Sequence, residues 1–174
     1  MESCYTINTA AREHLDILGD IELAAATLFE GHLPASIPQD NTPQQKFRSA
    51  QLEGRLWVAL SGETPVGFAL VEMLANDLPH LEEIDVMPSH GRRGVGTALV
   101  HAVLEWVTKA GYVQLTLTTF RSVPWNMPFY TRMGFVEIPA DELRSELEKV
   151  VQDEAARGLP RELRVVMQYP VKAV

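Results

Sequence analysis

The chain holds a single cysteine, Cys4, so an intrachain disulfide is excluded and a reducing compartment is the expected setting. Its five histidines are scattered, with no H-x-x-x-H pair and no second cysteine to complete a metal site, so no bound metal is expected. No apolar run approaches the roughly 18 residues that a membrane span needs. The first residues carry no charged-then-apolar leader, so the start reads as that of a cytoplasmic chain. Cations are the scarcer charge: 15 Lys and Arg stand against 23 Asp and Glu, for a net charge of −8 and a pI near 5.1. A nucleic-acid partner wants a basic face and is not expected. The acidic balance suits a cationic small molecule such as an amine, although it is also the ordinary route to solubility. Repeats and low-complexity tracts are missing too. The 174 residues are therefore expected to form one domain, 1–174, with a sizeable core.

What is present concentrates in one stretch, Leu81-Glu-Glu-Ile-Asp-Val-Met-Pro-Ser-His-Gly-Arg-Arg-Gly-Val-Gly-Thr97. It reads as a short apolar strand, a proline stop, a Gly/Arg turn and the start of an amphipathic helix. Gly91, Gly94 and Gly96 permit positive φ and keep side chains away from the backbone N–H groups. The helix N-terminus presents unpaired donors and the positive end of its dipole to the same spot. Arg92 and Arg93 add forked positive groups in an otherwise acidic chain. The combination predicts an anion cradle. A P-loop would need Gly-Lys-Ser/Thr, but Gly96 is followed by Thr97 with no lysine. A dinucleotide fingerprint would need Gly-x-Gly-x-x-Gly, whereas the order here is Gly-x-x-Gly-x-Gly.

Residues 5–9 predict a strand, and residues 10–29 a helical segment with a break at Gly19-Asp20, the second part capped by Asp20. Residues 30–43 form a long loop rich in proline and glycine, after which Thr42 should cap a helix with Pro43 at its first position. A hairpin joins strands 55–61 and 64–73, and residues 75–79 turn into strand 81–87. The best helix is 94–110, with Val95, Leu99, Val103, Trp106 and Val107 on one face. Strand 113–119, a short helix 124–133, strand 134–138, an acidic surface helix 141–157 and strand 164–169 follow. This order predicts an α/β fold: a mixed sheet of about six to seven strands with helices on both faces. Strands 81–87 and 113–119, linked by helix 94–110, should pair in parallel through a right-handed crossover.

With these elements in place, the chain resembles the GCN5-related N-acetyltransferase (GNAT) superfamily over nearly its whole length. The resemblance rests on Ile84-Asp-Val-Met-Pro-Ser-His-Gly-Arg-Arg-Gly-Val-Gly-Thr97 and on Asn126-Met-Pro-Phe-Tyr-Thr-Arg-Met-Gly-Phe135. It implies acetyl transfer from acetyl-CoA to an amine. Backbone groups of Ile84, Asp85 and Val86 would pair with the pantetheine arm. The N–H groups of Arg92, Arg93, Gly94, Val95, Gly96 and Thr97 would hold the pyrophosphate. Tyr130 would protonate the departing thiolate, its phenol being matched in acidity to that task. The structural alternative for Tyr130 is a core residue whose hydroxyl finds a backbone partner. Two departures stand out: Gly91 occupies a position that usually carries Gln or Arg, and Val123 a position where many relatives have Asn. Asn126 either contacts the cofactor in its place or caps the short helix.

An alkylamine is protonated at neutral pH and must lose a proton before attack. Glu83 is the first candidate to accept it and Glu82 the second, although adjacent strand residues face opposite ways and one of the two should be a solvated edge charge. A strand bulge would change which of them reaches the substrate side. His80, read as an exposed turn residue beside Pro79, is a further candidate, and Thr116, Thr118 and Thr119 reflect β propensity. His32, Asp40 and Trp125 are expected to line the acceptor pocket. The acceptor expected is a small-molecule primary amine, with a protein N-terminus or lysine as the alternative. The resemblance also allows a homodimer. The competing reading is a non-catalytic acyl-CoA-binding module that kept the cradle.

Overall fold

In a computed structural model, residues 5–38 and 41–171 are described. Cys4 and the candidate pocket residue Asp40 lie outside them. The strands are β1 (Tyr5–Thr9), β2 (Leu56–Ser61), β3 (Thr64–Ala75), β4 (Leu78–Val86), β5 (Gln114–Phe120), β6 (Val136–Glu137) and β7 (Arg164–Pro170). The helices are α1 (Leu15–Ala26), α2 (Gln44–Leu52), α3 (Val95–Lys109), α4 (Met127–Arg132) and α5 (Ser145–Ala156). The strands hydrogen-bond in the order β1-β2-β3-β4-β5-β7-β6, a mixed seven-stranded sheet. The expected parallel crossover is present: His80 and Leu81 of β4 pair with Thr116 and Leu117 of β5.

Chain contacts divide the molecule into two compact units. One comprises Met1–Glu30, Gln39–Glu72 and Glu82–Trp106; the other comprises Gly31–Pro38, Met73–Leu81 and Val107–Val174. In the first, Leu56 and Val58 of β2 and Phe68 and Leu70 of β3 pack against Leu18 and Ile21 of α1 and Phe47 and Ala50 of α2. The residues between them, Trp57, Ala59, Ala69 and Val71, are buried on the opposite face, where Trp57 meets Trp106 of α3 edge-on at 5.6 Å. Strands covered on both faces read as continuous apolar runs, which is the pattern of these segments.

Two local expectations fail here. Helix α1 runs unbroken through Gly19 and Asp20. A glycine in a helix costs about 1 kcal/mol relative to alanine, and burial of Leu18 and Ile21 on either side outweighs it. Thr42 does not cap α2, whose N-cap position is Pro43 without a side-chain bond. Its N–H and hydroxyl instead serve the buried carboxylate of Glu22 at 2.9–3.0 Å. A buried charge needs donors more urgently than a helix end does.

In the second unit β5 and β7 pair antiparallel over seven positions, Gln114↔Pro170 through Phe120↔Arg164. Leu78, Ile138, Leu147, Val151 and Val166 form its core. The turn expected at 75–79 is shorter than read: only Asn76 and Asp77 separate β3 from β4, so Pro79 and His80 belong to a strand. The acidic helix is also corrected. Leu147, Val151 and Glu154 of α5 are buried, so only part of its surface is solvated. Glu154 accepts from Arg164 at 2.8 and 3.0 Å and from Thr118 Oγ1 at 2.6 Å, and Arg164 lies over the Phe120 ring at 4.5 Å.

Candidate functional site

The Gly/Arg turn is built between β4 and α3. A 3-10 turn, Pro88–His90, follows the strand, and Gly91 leaves it in an extended conformation with φ −64°. Of the three cradle glycines only Gly94 uses positive φ, at 81°, and Arg92 itself sits in the left-handed region at 58°. Gly91 has no need of positive φ, because any residue adopts φ −64°, although an added Cβ would lie 3.2 Å from Pro88 O. A Cβ on Gly94 would have no neighbour within 4 Å, so the approach over that residue is open. The first intrahelical donor is Ala98 N, bonded to Gly94 O at 2.9 Å. The N–H groups of Val95, Gly96 and Thr97 precede it and lack an intrahelical acceptor, as at any helix start. Arg92, Arg93 and Gly94 are exposed, while Val95 is buried and fixes the helix end.

The carboxylates of β4 are sorted by a break in its pleat. Glu82 faces α2, where Lys46 Nζ meets its carboxylate at 2.7 Å and that of Glu72 at 2.9 Å. Met87 packs into the core formed with α1 and α2, whereas Val86 lies under Gly67 beside Leu99 of α3. Regular alternation would put residues four apart on the same face. Met87 lies past the end of β4, but Glu82 and Val86 are four apart within it and still face opposite ways, so the alternation breaks between them, as at a bulge. Asp85 lies close enough to Glu22 of α1 to feel its charge. Its carboxyl shares a hydrogen bond with Glu83, and its pKa is driven well above the usual carboxylate range by desolvation, then by the charges of Glu83 and Glu22. Burial also raises Glu22, against the Thr42 donors that lower it. Glu22 was not anticipated. The available signal was a charged residue on the apolar stripe of Leu18, Ile21 and Ala25.

His80 is only 1% exposed, not a free turn residue. Its Nδ1 lies 2.9 Å from Thr116 Oγ1, and that hydroxyl donates to Pro79 O at 3.1 Å. A hydroxyl has one proton, so Nδ1 must be the donor to Thr116.

Asn126 precedes α4 but does not cap it with its side chain. Its Oδ1 accepts from Thr119 Oγ1 at 2.7 Å and from Phe120 N at 3.4 Å. A backbone N–H can only meet the oxygen, which fixes the amide orientation. The three threonines of β5 thus hold His80, Glu154 and Asn126 respectively. Tyr130 is buried, and its ring packs edge-on with Phe129 at 5.1 Å and Phe135 at 5.5 Å. Its carbonyl accepts from Phe135 N at 3.0 Å, closing the turn in which Gly134 adopts φ 97°. Val123 is buried and offers no polar group. His32 and Trp125, both expected at an acceptor pocket, meet edge-on at 4.7 Å. Among the described residues no group of three or more His, Cys, Asp or Glu could hold a metal ion, and no helix is long and apolar enough to cross a membrane.

The model of the acetyltransferase (GNAT) family matches residues 22–135, which include the cradle, the β4 carboxylates and Tyr130. The chain belongs to that family. With membership comes the reaction class, acyl transfer with acetyl-CoA as cosubstrate. Solved GNAT-type structures share the fold at low identity. The ribosomal-protein-S18-alanine N-acetyltransferase of Escherichia coli superposes with a TM-score of 0.69 at 19% identity, covering 98% of this chain and 96% of that one. The PaiA N-acetyltransferase of Thermoplasma acidophilum, solved with coenzyme A, gives 0.72 at 13% identity over 97% and 99%. The N-acetylglutamate synthase of Neisseria gonorrhoeae, solved with coenzyme A and N-acetyl-glutamate, gives 0.72 at 14% identity over 99% of this chain and 36% of that one. The GNAT cradle of this chain fits a pyrophosphate: open space over Gly94, two exposed guanidinium groups, and three helix-start N–H groups.

Proposed function

We propose that this GNAT protein transfers an acetyl group from acetyl-CoA directly to a small-molecule primary amine, both substrates being bound at once in the cytoplasm, with the 174 residues acting as one domain. The observation that carries the reading is the cradle. Its N–H groups and the side chains of Arg92 and Arg93 neutralise a diphosphate without a metal ion, and the left-handed turns at Arg92 and Gly94 aim them. The parallel ladder of β4 with β5 comprises His80↔Thr116 and Leu81↔Leu117. Ile84, Asp85 and Val86 come after it, and their backbone groups are assigned to the pantetheine arm. Asn126 belongs to the cofactor side as well: its oxygen is occupied, so its NH₂ is the group left to donate.

Glu83 and Asp85 share the role of proton acceptor. The hydrogen bond between them and the raised proton affinity of Asp85 suit a pair that must take a proton from an ammonium ion. Glu82 is occupied by Lys46 at 2.7 Å, so Glu83 takes precedence. As the amine nitrogen bonds to the acetyl carbon and the carbon–sulfur bond breaks, Tyr130 supplies a proton to the thiolate and the Glu83–Asp85 pair receives the one lost from the amine. The acidic surface and His32–Trp125 favour a cationic acceptor with an apolar body.

The test combines binding and turnover. Millimolar acetyl-CoA should raise the thermal midpoint by several degrees, as a ligand of the folded state does, while ATP and NAD should not. Tyr130→Phe should lower kcat about 100-fold with amine acceptors and leave acetyl-CoA affinity unchanged. Full turnover by that variant would remove Tyr130 as the acid.

A further inference from the structure

Tyr5, the first described residue of the edge strand β1, is hydrogen-bonded through its hydroxyl to Nδ1 of His90 at 3.0 Å. The rings meet edge-on, with centroids 5.8 Å apart and planes at 79°. His90 is the last residue of the 3-10 turn that leads into Gly91, Arg92 and the cradle. We infer that the Tyr5–His90 contact is a positioning clamp that sets the cradle for the diphosphate, which makes Tyr5 a determinant of acetyl-CoA affinity.

The inference rests on the proposed role of residues 92–97. The turn is fastened at its start by Met87 N to Val66 O at 2.8 Å and within itself by His90 N to Met87 O and Gly91 N to Pro88 O. At its far end Gly94 O receives Ala98 N and α3 begins. Between those ends lie two exposed arginines, one with left-handed φ. Such a segment gains little from its own contacts, and its binding-competent shape must be held from outside. β1 is suited to that. Tyr5 opposes Ser61 of β2 in a five-residue ladder, so a rigid strand carries the hydroxyl. The clamp tolerates either charge state of the imidazole: the phenol donates to a neutral Nδ1 and accepts from a protonated one. Losing it lowers the fraction of molecules with a formed cradle, and apparent affinity falls by that fraction.

The experiment titrates coenzyme A calorimetrically into wild type, Tyr5→Phe, His90→Ala and His90→Asn, and follows turnover with each substrate varied. If wild-type protein failed to bind coenzyme A, the cradle assignment itself would be lost, which separates that failure from this one. With wild-type binding intact, Tyr5→Phe should weaken coenzyme A and raise the acetyl-CoA KM about three- to tenfold, the worth of one hydrogen bond. The kcat at saturation and the amine KM should stay put. His90→Asn, which keeps a short-chain polar partner, should restore part of the loss relative to His90→Ala. Unchanged affinity in Tyr5→Phe would overturn the clamp. So would a loss spread equally over kcat and both KM values, because that marks general destabilisation.

Discussion

A side chain at Gly67 would meet β4 at close range, and its replacement by alanine tests the β3–β4 geometry directly. An alanine Cβ would lie 2.8 Å from the carbonyl oxygen of Asp85, 3.2 Å from Val86 Cγ2 and 3.4 Å from Leu99 Cδ1. Carbon–oxygen contacts settle near about 3.3 Å or beyond, so β4 or β3 must give by roughly half an ångström, and the obstacle is backbone. Overpacking of this kind costs about 1–3 kcal/mol. Gly67 does not use positive φ, so alanine also returns about 0.4–1 kcal/mol by restricting the unfolded chain. The net expectation is a loss of about 1–2 kcal/mol, or a fall of about 2–8 °C in the thermal midpoint of a chain this size. Since the displaced group is the Asp85 carbonyl, the acetyl-CoA KM should rise as well. Gly19→Ala is the control: its Cβ would meet nothing within 4 Å, and helix propensity predicts a gain of up to about 1 kcal/mol. Equal stability of Gly67→Ala and wild type in urea titrations would refute the close approach of the two strands.

Stability should depend on pH through Asp85. Its folded-state pKa is raised above the usual 3.8, so its contribution is fully present below that value and is lost as pH rises through the elevated one. Asp85→Asn should therefore unfold at higher urea than wild type at neutral pH and show a flatter decline from acid to neutral, measured by urea midpoints across that range. Glu154→Ala leaves Arg164, whose side chain is 11% exposed, without its carboxylate partner, and should cost about 3 kcal/mol or more. Adding Arg164→Leu should recover part of that loss in a double-mutant cycle. Gly94→Val forces a β-branched residue to φ 81° and fills the open approach, so coenzyme A affinity should drop at least about tenfold. Gly91→Ala, at φ −64° with its Cβ 3.2 Å from Pro88 O, should cost far less affinity than Gly94→Val in the same calorimetric titration.

Much of the architecture was readable because the decisive signals are local. The apolar run of Thr64–Ala75, the alternation of Gln114–Phe120 and the stripe on Val95–Lys109 are patterns that the chain states by itself. The Gly/Arg turn, its place before α3, and the Tyr130-to-Phe135 segment were legible for the same reason. Composition alone also set the anionic character and left Cys4 without a disulfide partner in the chain. The partners of charged groups were not legible, because they are chosen across long sequence separations. Thr42 goes to Glu22 twenty residues away instead of capping its own helix. Arg144 reaches Asp77, 67 positions away, and Glu148 reaches Arg161, 13 positions away. His80 was assigned to a turn by its proline neighbour, yet the pairing of β4 with β5 buries it against Thr116. The bulge in β4 follows the same logic. Where the alternation of that strand breaks is decided by packing, with Glu82 turned to Lys46 and Val86 set beside Gly67 and Leu99.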